Sequence, residues 1–188
     1  MDRNPTDTEL AGWPITVRIA ALSTSELIAD AIRSALRRES FLPAISTAAF
    51  GTLVGELISP SSPTDVMIVV LDERGMLGRD WRLSVANAQT QFNAWVHMLL
   101  QAIEHFIETH PGASLVVNTV PHAASLHIGH LDATHPDGLS YRISELNRQL
   151  RELSACHNSV RLIDSDMALA HIAPSMRSDP KLWLYGRI

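Results

Sequence analysis

Two serines stand where an apolar run gives way to a helical pattern. Ile15 to Leu22 reads ITVRIAAL, and Ser23-Thr24-Ser25-Glu26 follows at once. A serine exposed at a strand end and facing a helix amino terminus is a common setting for a nucleophilic hydroxyl, because aligned peptide dipoles favour negative charge there. Ser23 and Ser25 are therefore candidate catalytic residues. They also have a plain structural reading, since Ser23 and Glu26 carry the Ser-x-x-Glu spacing of a capping box.

Other clusters invite similar pairs of readings. His122, His127, His130, Asp132 and His135 crowd one stretch, and imidazoles with a carboxylate are typical ligands for zinc or iron. Their spacing matches no helix-borne metal motif, and the Pro and Gly among them describe a solvated loop, so no metal is expected. His122 and His127 are kept as candidate binding residues, with Asp72 and Asn118 at the ends of two apolar runs. Asp164-Ser165-Asp166 has the Asp-x-Asp form of haloacid-dehalogenase-type phosphotransferases. Only 22 residues follow it, too few for the lysine and acids such an enzyme needs, so these acids read as helix caps. Near the end, Asp179 opens Asp179-Pro180-Lys181-Leu182, where a hydrolase of this architecture carries Asp-x-x-His with the histidine as general base. Leu182 occupies the histidine position, leaving Asp179 a candidate catalytic residue without its base.

These residues need elements to hold them. ITVRIAAL predicts a strand buried on both faces. Ile28, Ala31, Ile32, Ala35 and Leu36 then keep helical spacing. Residues 43 to 48 predict a weaker strand, 50 to 58 a short helix, and VMIVVL at 66 to 71 a buried strand ending in a polar turn, Asp72-Glu73-Arg74-Gly75. A long helix is expected over 81 to 109 from the stripe Phe92, Trp95, Val96, Leu99, Ile103 and Phe106. SLVVNT at 114 to 119 is the fourth strand. Ile143, Leu146, Leu150 and Leu153 mark another amphipathic helix, and residues 159 to 163 a fifth strand, before a short helix capped by the acids at 164 to 166. Strict alternation of strand and helix calls for an α/β fold with a five-stranded parallel sheet, helices on both faces, and ligands bound beyond the carboxyl ends of the strands.

Composition narrows the function classes. At 188 residues and 46% hydrophobic, the chain is long enough for one domain to bury roughly 70% of its unfolded surface. A net charge of −5 with no concentrated basic face argues against nucleic acid. No apolar run approaches the roughly 20 residues of a membrane span, and the amino terminus lacks the basic-then-apolar form of a signal peptide. Cys156 is the one cysteine, as suits a reducing, cytoplasmic setting. Residues 1–14 read as a flexible leader and 15–188 as a single domain. Neither GxGxxG nor a P-loop occurs, and no cofactor is expected.

SPSSPTDVMIVVLDERGML, SLVVNTVP, ISELNRQLREL, VRLIDSDMALA and DPKLWLYGRI occur in that order. As a set they resemble the amino-terminal domain of FkbH-like proteins, from about Ile15 to the last residue. The resemblance implies an SGNH-hydrolase-like, three-layer doubly wound sandwich with flavodoxin-like strand order, preceding a haloacid-dehalogenase-type catalytic domain. Two-domain members take a glyceryl group from bisphosphoglycerate, hold it as a thioester and pass it to an acyl carrier protein in polyketide extender-unit synthesis. The family's linker would begin near Ile188, so the chain is expected to be an excised domain or a stand-alone relative. An active SGNH enzyme has Gly-Asp-Ser after its first strand and Gly-x-Asn-Asp after its third. This chain has Leu22-Ser23-Thr24-Ser25 and Leu71-Asp72-Glu73-Arg74 there, and Leu182 in place of the final histidine.

The expected role is therefore a non-catalytic or weakly catalytic accessory domain whose partner is an acyl carrier protein or the catalytic domain. Arg142, Arg148 and Arg151 on one predicted helix are candidates for a basic docking face, or simply a solvated helix surface. The alternative role is a divergent serine esterase or acyltransferase using Ser23 or Ser25, with a histidine of the 122 to 135 loop as base.

Overall fold

Five apolar runs become the strands of one sheet in the computed structural model, which describes residues 12–77, 85–121 and 129–172. The strands are β1 (Trp13–Ala21), β2 (Phe41–Thr47), β3 (Val66–Val70), β4 (Ser114–Asn118) and β5 (Val160–Ile163). Every pairing is parallel and the order is β2-β1-β3-β4-β5. The helices are α1 (Glu26–Arg38), α2 (Leu53–Ile58), α3 (Glu73–Leu77), α4 (Val85–Thr109), α5 (Leu139–Cys156) and α6 (Ser165–Leu169).

The strand order decides which face each helix covers. The chain steps from β1 to β2 on one side, then returns past β1 to β3, β4 and β5. With right-handed crossovers, α1 must lie on one face and the later crossover helices on the other. The cores agree. Val17, Ile19, Ile68 and Val70 pack with Ala29, Ile32 and Leu36 of α1. On the opposite face Met67, Val69, Leu115, Val117 and Val160 pack with Leu53 and Leu57 of α2, Leu99, Ile103 and Phe106 of α4, and Ile143, Leu146 and Leu150 of α5. The result is a three-layer α/β sandwich. Register aligns the rows: Met67 lies beside Leu115 and Leu115 beside Val160, so one continuous apolar row faces α4 and α5. Leu99, Ile103 and Phe106 have no exposed surface, and burying each contributes about 1.5–3 kcal/mol.

One charge interrupts the main core. Arg18 aligns with Met67 on that face, and its guanidinium meets Glu56 of α2 through Nε to Oε2 at 3.0 Å and Nη2 to Oε1 at 2.7 Å. Its Nη1 donates to the Thr47 carbonyl at 2.9 Å, and Ser61 N donates to Glu56 Oε2 at 3.2 Å. Both side chains are 10% exposed. The fork-on-fork hydrogen bonds of Arg18 hold the Glu56 carboxyl below its ordinary value, against the opposing effect of burial.

Several boundaries differ from the sequence-based expectation. β1 starts at Trp13 rather than Ile15, and Pro14 is accommodated because only β2 flanks that end of the strand. β2 starts at Phe41, after Ser40 turns the chain with φ +62°. The expected polar turn after β3 is instead the start of α3. The capping box is not formed. Leu22 N donates to the Val70 carbonyl at 3.1 Å, which carries β1-type pairing past Ala21 and delays the helix. Ser25 becomes the residue before α1, and Glu26 its first residue. The expected start of the long helix at residue 81 lies outside the described residues. Among the described residues, no helix is long and apolar enough to cross a membrane.

Candidate functional site

The carboxyl ends of the strands gather Ser23 to Ser25, Leu71 to Gly75, Asn118 to Pro121 and Asp164 to Ser165 at one edge. The strand order reverses between β1 and β3, where a doubly wound sheet opens its crevice. At that point α3 packs closely on β1. A Cβ on Gly75 would lie 2.5 Å from Leu22 Cβ and 3.1 Å from the Leu22 carbonyl, so α3 rests directly on the exit of β1, and only glycine permits the approach. Asp72 supports that seat, accepting a hydrogen bond from Gly75 N at 3.0 Å through Oδ1.

Beside this contact lies a cavity of about 160 Å3, lined by Leu22, Phe50, Leu53, Val54, Gly75 and Trp95 among others. It is smaller than the roughly 300–1,000 Å3 of ordinary ligand sites, and its walls are mainly apolar. It suits a small apolar group.

The two serines differ in setting. Ser23 is half-buried, whereas Ser25 is 5% exposed. Ser25 accepts a hydrogen bond from Ala29 N at its carbonyl, 2.9 Å, but its side chain makes no capping hydrogen bond. No histidine among the described residues hydrogen-bonds either serine.

Asn118 makes four side-chain hydrogen bonds. Its Oδ1 accepts from Leu71 N at 2.7 Å, and its Nδ2 donates to the carbonyls of Leu71 at 3.1 Å and Thr119 at 2.8 Å and to Ser165 Oγ at 3.0 Å. The side-chain amide thus continues the ladder between β3 and β4 by one further pair. Asn147 of α5 repeats the device, accepting from Val120 N and donating to the Val120 carbonyl, each at 2.8 Å. Ser165 N donates to Thr119 Oγ1 at 2.9 Å, and Ser165 Oγ to the Thr119 carbonyl at 2.5 Å. The polar groups at the exits of β3, β4 and β5 therefore hold one another. Asp164 caps α6, accepting from Met167 N at 3.0 Å, in line with the sequence reading of these acids.

The histidine-rich stretch is only partly within view. His122, His127 and Asp179 lie outside the described residues. Asp132 is fully buried and accepts from Leu139 N at 3.3 Å and Ser140 N at 2.8 Å, serving the first turn of α5, where Gly138 supplies no capping side chain. His130 and His135 are exposed, and His135 Nδ1 accepts from Asp137 N at 3.2 Å. Among the described residues, no group of three or more His, Cys, Asp or Glu is placed to hold a metal ion.

The basic residues of α5 are also engaged. Arg148 bridges Glu145 at 2.6 Å and pairs with Glu152. Its hydrogen bonds, with one from Gln149, hold the Glu145 carboxyl down to about 2. Arg151 lies 3.7 Å from Asp164, and Arg142 lies 3.3 Å from Asp137. Gly75, Asn147 and the cavity-lining Phe50 and Trp95 were not singled out as site residues by sequence, whereas Thr119 and Ser165 fall in the strand-end stretches that the sequence marks. For Gly75 a signal existed, namely a glycine just after a strand-end Asp.

A parallel sheet ordered β2-β1-β3-β4-β5 between helical layers defines a doubly wound α/β domain of the flavodoxin-like order. No protein-family model and no curated protein matches the sequence. Among solved structures, the fold is similar to the crystal structure of the N-terminal part of the protein BF1531 from Bacteroides fragilis, containing a phosphatase domain complexed with Mg. The TM-score is 0.80 over 95% of this chain, at 14% sequence identity. The chain spans 48% of that chain, and at this identity the likeness is one of fold.

Proposed function

We propose that this chain is an SGNH-like accessory domain of the FkbH-like type. In this reading it works without catalysing a reaction itself, beside a haloacid-dehalogenase-type phosphatase domain, in glyceryl or acyl transfer to an acyl carrier protein. The observation that carries the reading is the fold likeness over 95% of this chain to part of a protein that contains a phosphatase domain. A second consideration points the same way: Asp72 and Asn118, the polar candidates after β3 and β4, serve as a helix cap and a strand clasp. Using either in catalysis would cost those bonds. A cytoplasmic setting suits the free, exposed thiol of Cys156.

Titrating the purified chain with a haloacid-dehalogenase-type phosphatase domain, and separately with a glyceryl-loaded carrier protein, tests the reading. Saturable binding heat with at least one of them is expected. Absence of heat with both, together with unchanged phosphatase turnover, would sink it.

A serine esterase or acyltransferase is the second reading, favoured by the buried Ser25 hydroxyl that does not cap α1. In that role Ser25 or Ser23 is the nucleophile, with a histidine of the 122 to 135 loop as base and Asp179 as the remaining acid. A fluorophosphonate probe separates the two. Labelling abolished by Ser25→Ala or Ser23→Ala supports the enzyme, and an unlabelled protein rejects it.

A further inference from the structure

Away from the strand ends, a groove runs between α4 and α5. One part, of about 400 Å3, is lined by Phe92, Asn93, Val96, His97 and Arg142 among others. A second, of about 300 Å3, includes Glu104, Leu153 and Cys156, and Leu100 and Gln149 line both parts. Early residues of α4 face early residues of α5 at one end, and late face late at the other. The helices therefore run in the same direction and the groove follows them. Its floor is apolar, with Phe92 and Leu146 buried and Val96, Leu100 and Leu153 half-buried.

The two ends carry opposite charges, Arg142 and Glu104, and Arg142 keeps one unmet donor beside its pair with Asp137. At one end Arg142 gives Nη1 to Asn93 Oδ1 and Nη2 to Asp137 Oδ1 at 3.3 Å, while its Nε is buried with no acceptor among the described residues. An unmet donor on a guanidinium is a standing cost that a carboxylate relieves better than any neutral group. At the other end Glu104 is exposed and forms no ion pair among the described residues. By contrast Glu145 and Glu152 are both taken by Arg148. Asn93, beside Arg142, and Glu104 are eleven residues apart on α4, about 16 Å along the axis.

We propose that this groove docks an amphipathic helix of a partner protein that carries an acidic residue against Arg142 and, eleven residues later, a basic residue against Glu104. Eleven residues are close to three full turns, so both charges fall on the same face as an apolar stripe seated on Val96, Leu100 and Leu153. Acid before base also agrees with the helix dipole and sets the partner parallel to α4. Arg142 turns from Asn93 to meet the partner carboxylate. This surface is separate from the strand-end crevice and does not depend on the role proposed above.

The test uses two synthetic helical peptides of equal composition with a leucine stripe. One has Glu eleven residues before Lys, and the other has the two exchanged. With the full chain, the acid-first peptide is expected to shift the amide resonances of α4 and α5 and to bind about tenfold more tightly than its counterpart. Glu104→Lys, at an exposed position that leaves the fold intact, is expected to remove that preference, and Arg142→Glu combined with Glu104→Lys to reverse it. Equal affinity for the two peptides, no binding of either, shifts outside the groove, or a preference that survives Glu104→Lys would each overturn the proposal.

Discussion

Replacing Glu56 by Gln would leave the Arg18 guanidinium in the main core without its counter-charge. Breaking one side of a buried pair costs about 3–5 kcal/mol, and urea unfolding of the variant at neutral pH measures it. The same pair adds a dependence on acid. Arg18 keeps the folded Glu56 carboxyl below its ordinary value near 4.5. Its contribution is therefore complete above that value and lost as pH falls through the lower, folded one. Wild type should lose stability more steeply than Glu56→Gln below about pH 4.5. Parallel acid profiles for the two proteins would refute this. Asp65, held down by hydrogen bonds from Thr16 N at 2.8 Å and Thr16 Oγ1 at 2.7 Å, keeps some acid sensitivity in both. At the opposite end of the strands, Asn118→Ala is predicted to cost about 2–3 kcal/mol, because Leu71 N and its carbonyl lose their partner at the strand exit. A loss within experimental error would show that water replaces the clasp. Sequence flagged the position of Asn118 but not its task. The bonds that clasp β3 to β4 go to the backbone of Leu71, 47 residues away, and a backbone amide leaves no mark in the residue types around it.

At the level of elements, the runs VMIVV and SLVVN were legible because strands buried on both faces must be apolar along their whole length. The helices α4 and α5 were legible because each buries one stripe. Capping was legible at α6, where Asp164 does what its position suggests, but not at α1 or α5. The Ser-x-x-Glu spacing at Ser23 is a local signal, and the pairing of Leu22 with Val70 overrode it from another strand. The first turn of α5 makes the same point, since its Gly138 cap residue has no side chain and the buried Asp132 does the work from six residues upstream. That arrangement demands the glycine. A Cβ there would lie 1.9 Å from the Asp132 carbonyl oxygen, so Gly138→Ala is predicted to lower stability by about 2–3 kcal/mol through displacement of the loop. Loss of amide protection at Leu139 and Ser140 in the variant would locate the damage, and unchanged protection there would contradict this account.

For the whole molecule, the sheet order sets a hierarchy of protection. β1, β3 and β4 have neighbours on both sides, while β2 and β5 are edges. Hydrogen exchange is predicted to be slower in β1, β3 and β4 than in β2 and β5, because the outer strands can open without breaking the inner pairings. Equal protection across all five would indicate a single opening unit. The sheet order also bears on synthesis, through the arginine at its centre. β1 leaves the ribosome first, yet its partners on either side, β2 and β3, come later. Until they arrive, the run VRIAA at 17–21 is an apolar strand with two open edges, the kind of segment that pairs with other chains. Arg18 places a full charge inside that run. A charge inside an exposed apolar run disfavours its pairing with other chains before the sheet is complete. Once Glu56 emerges, 38 residues later, the same charge is neutralised and taken into the core.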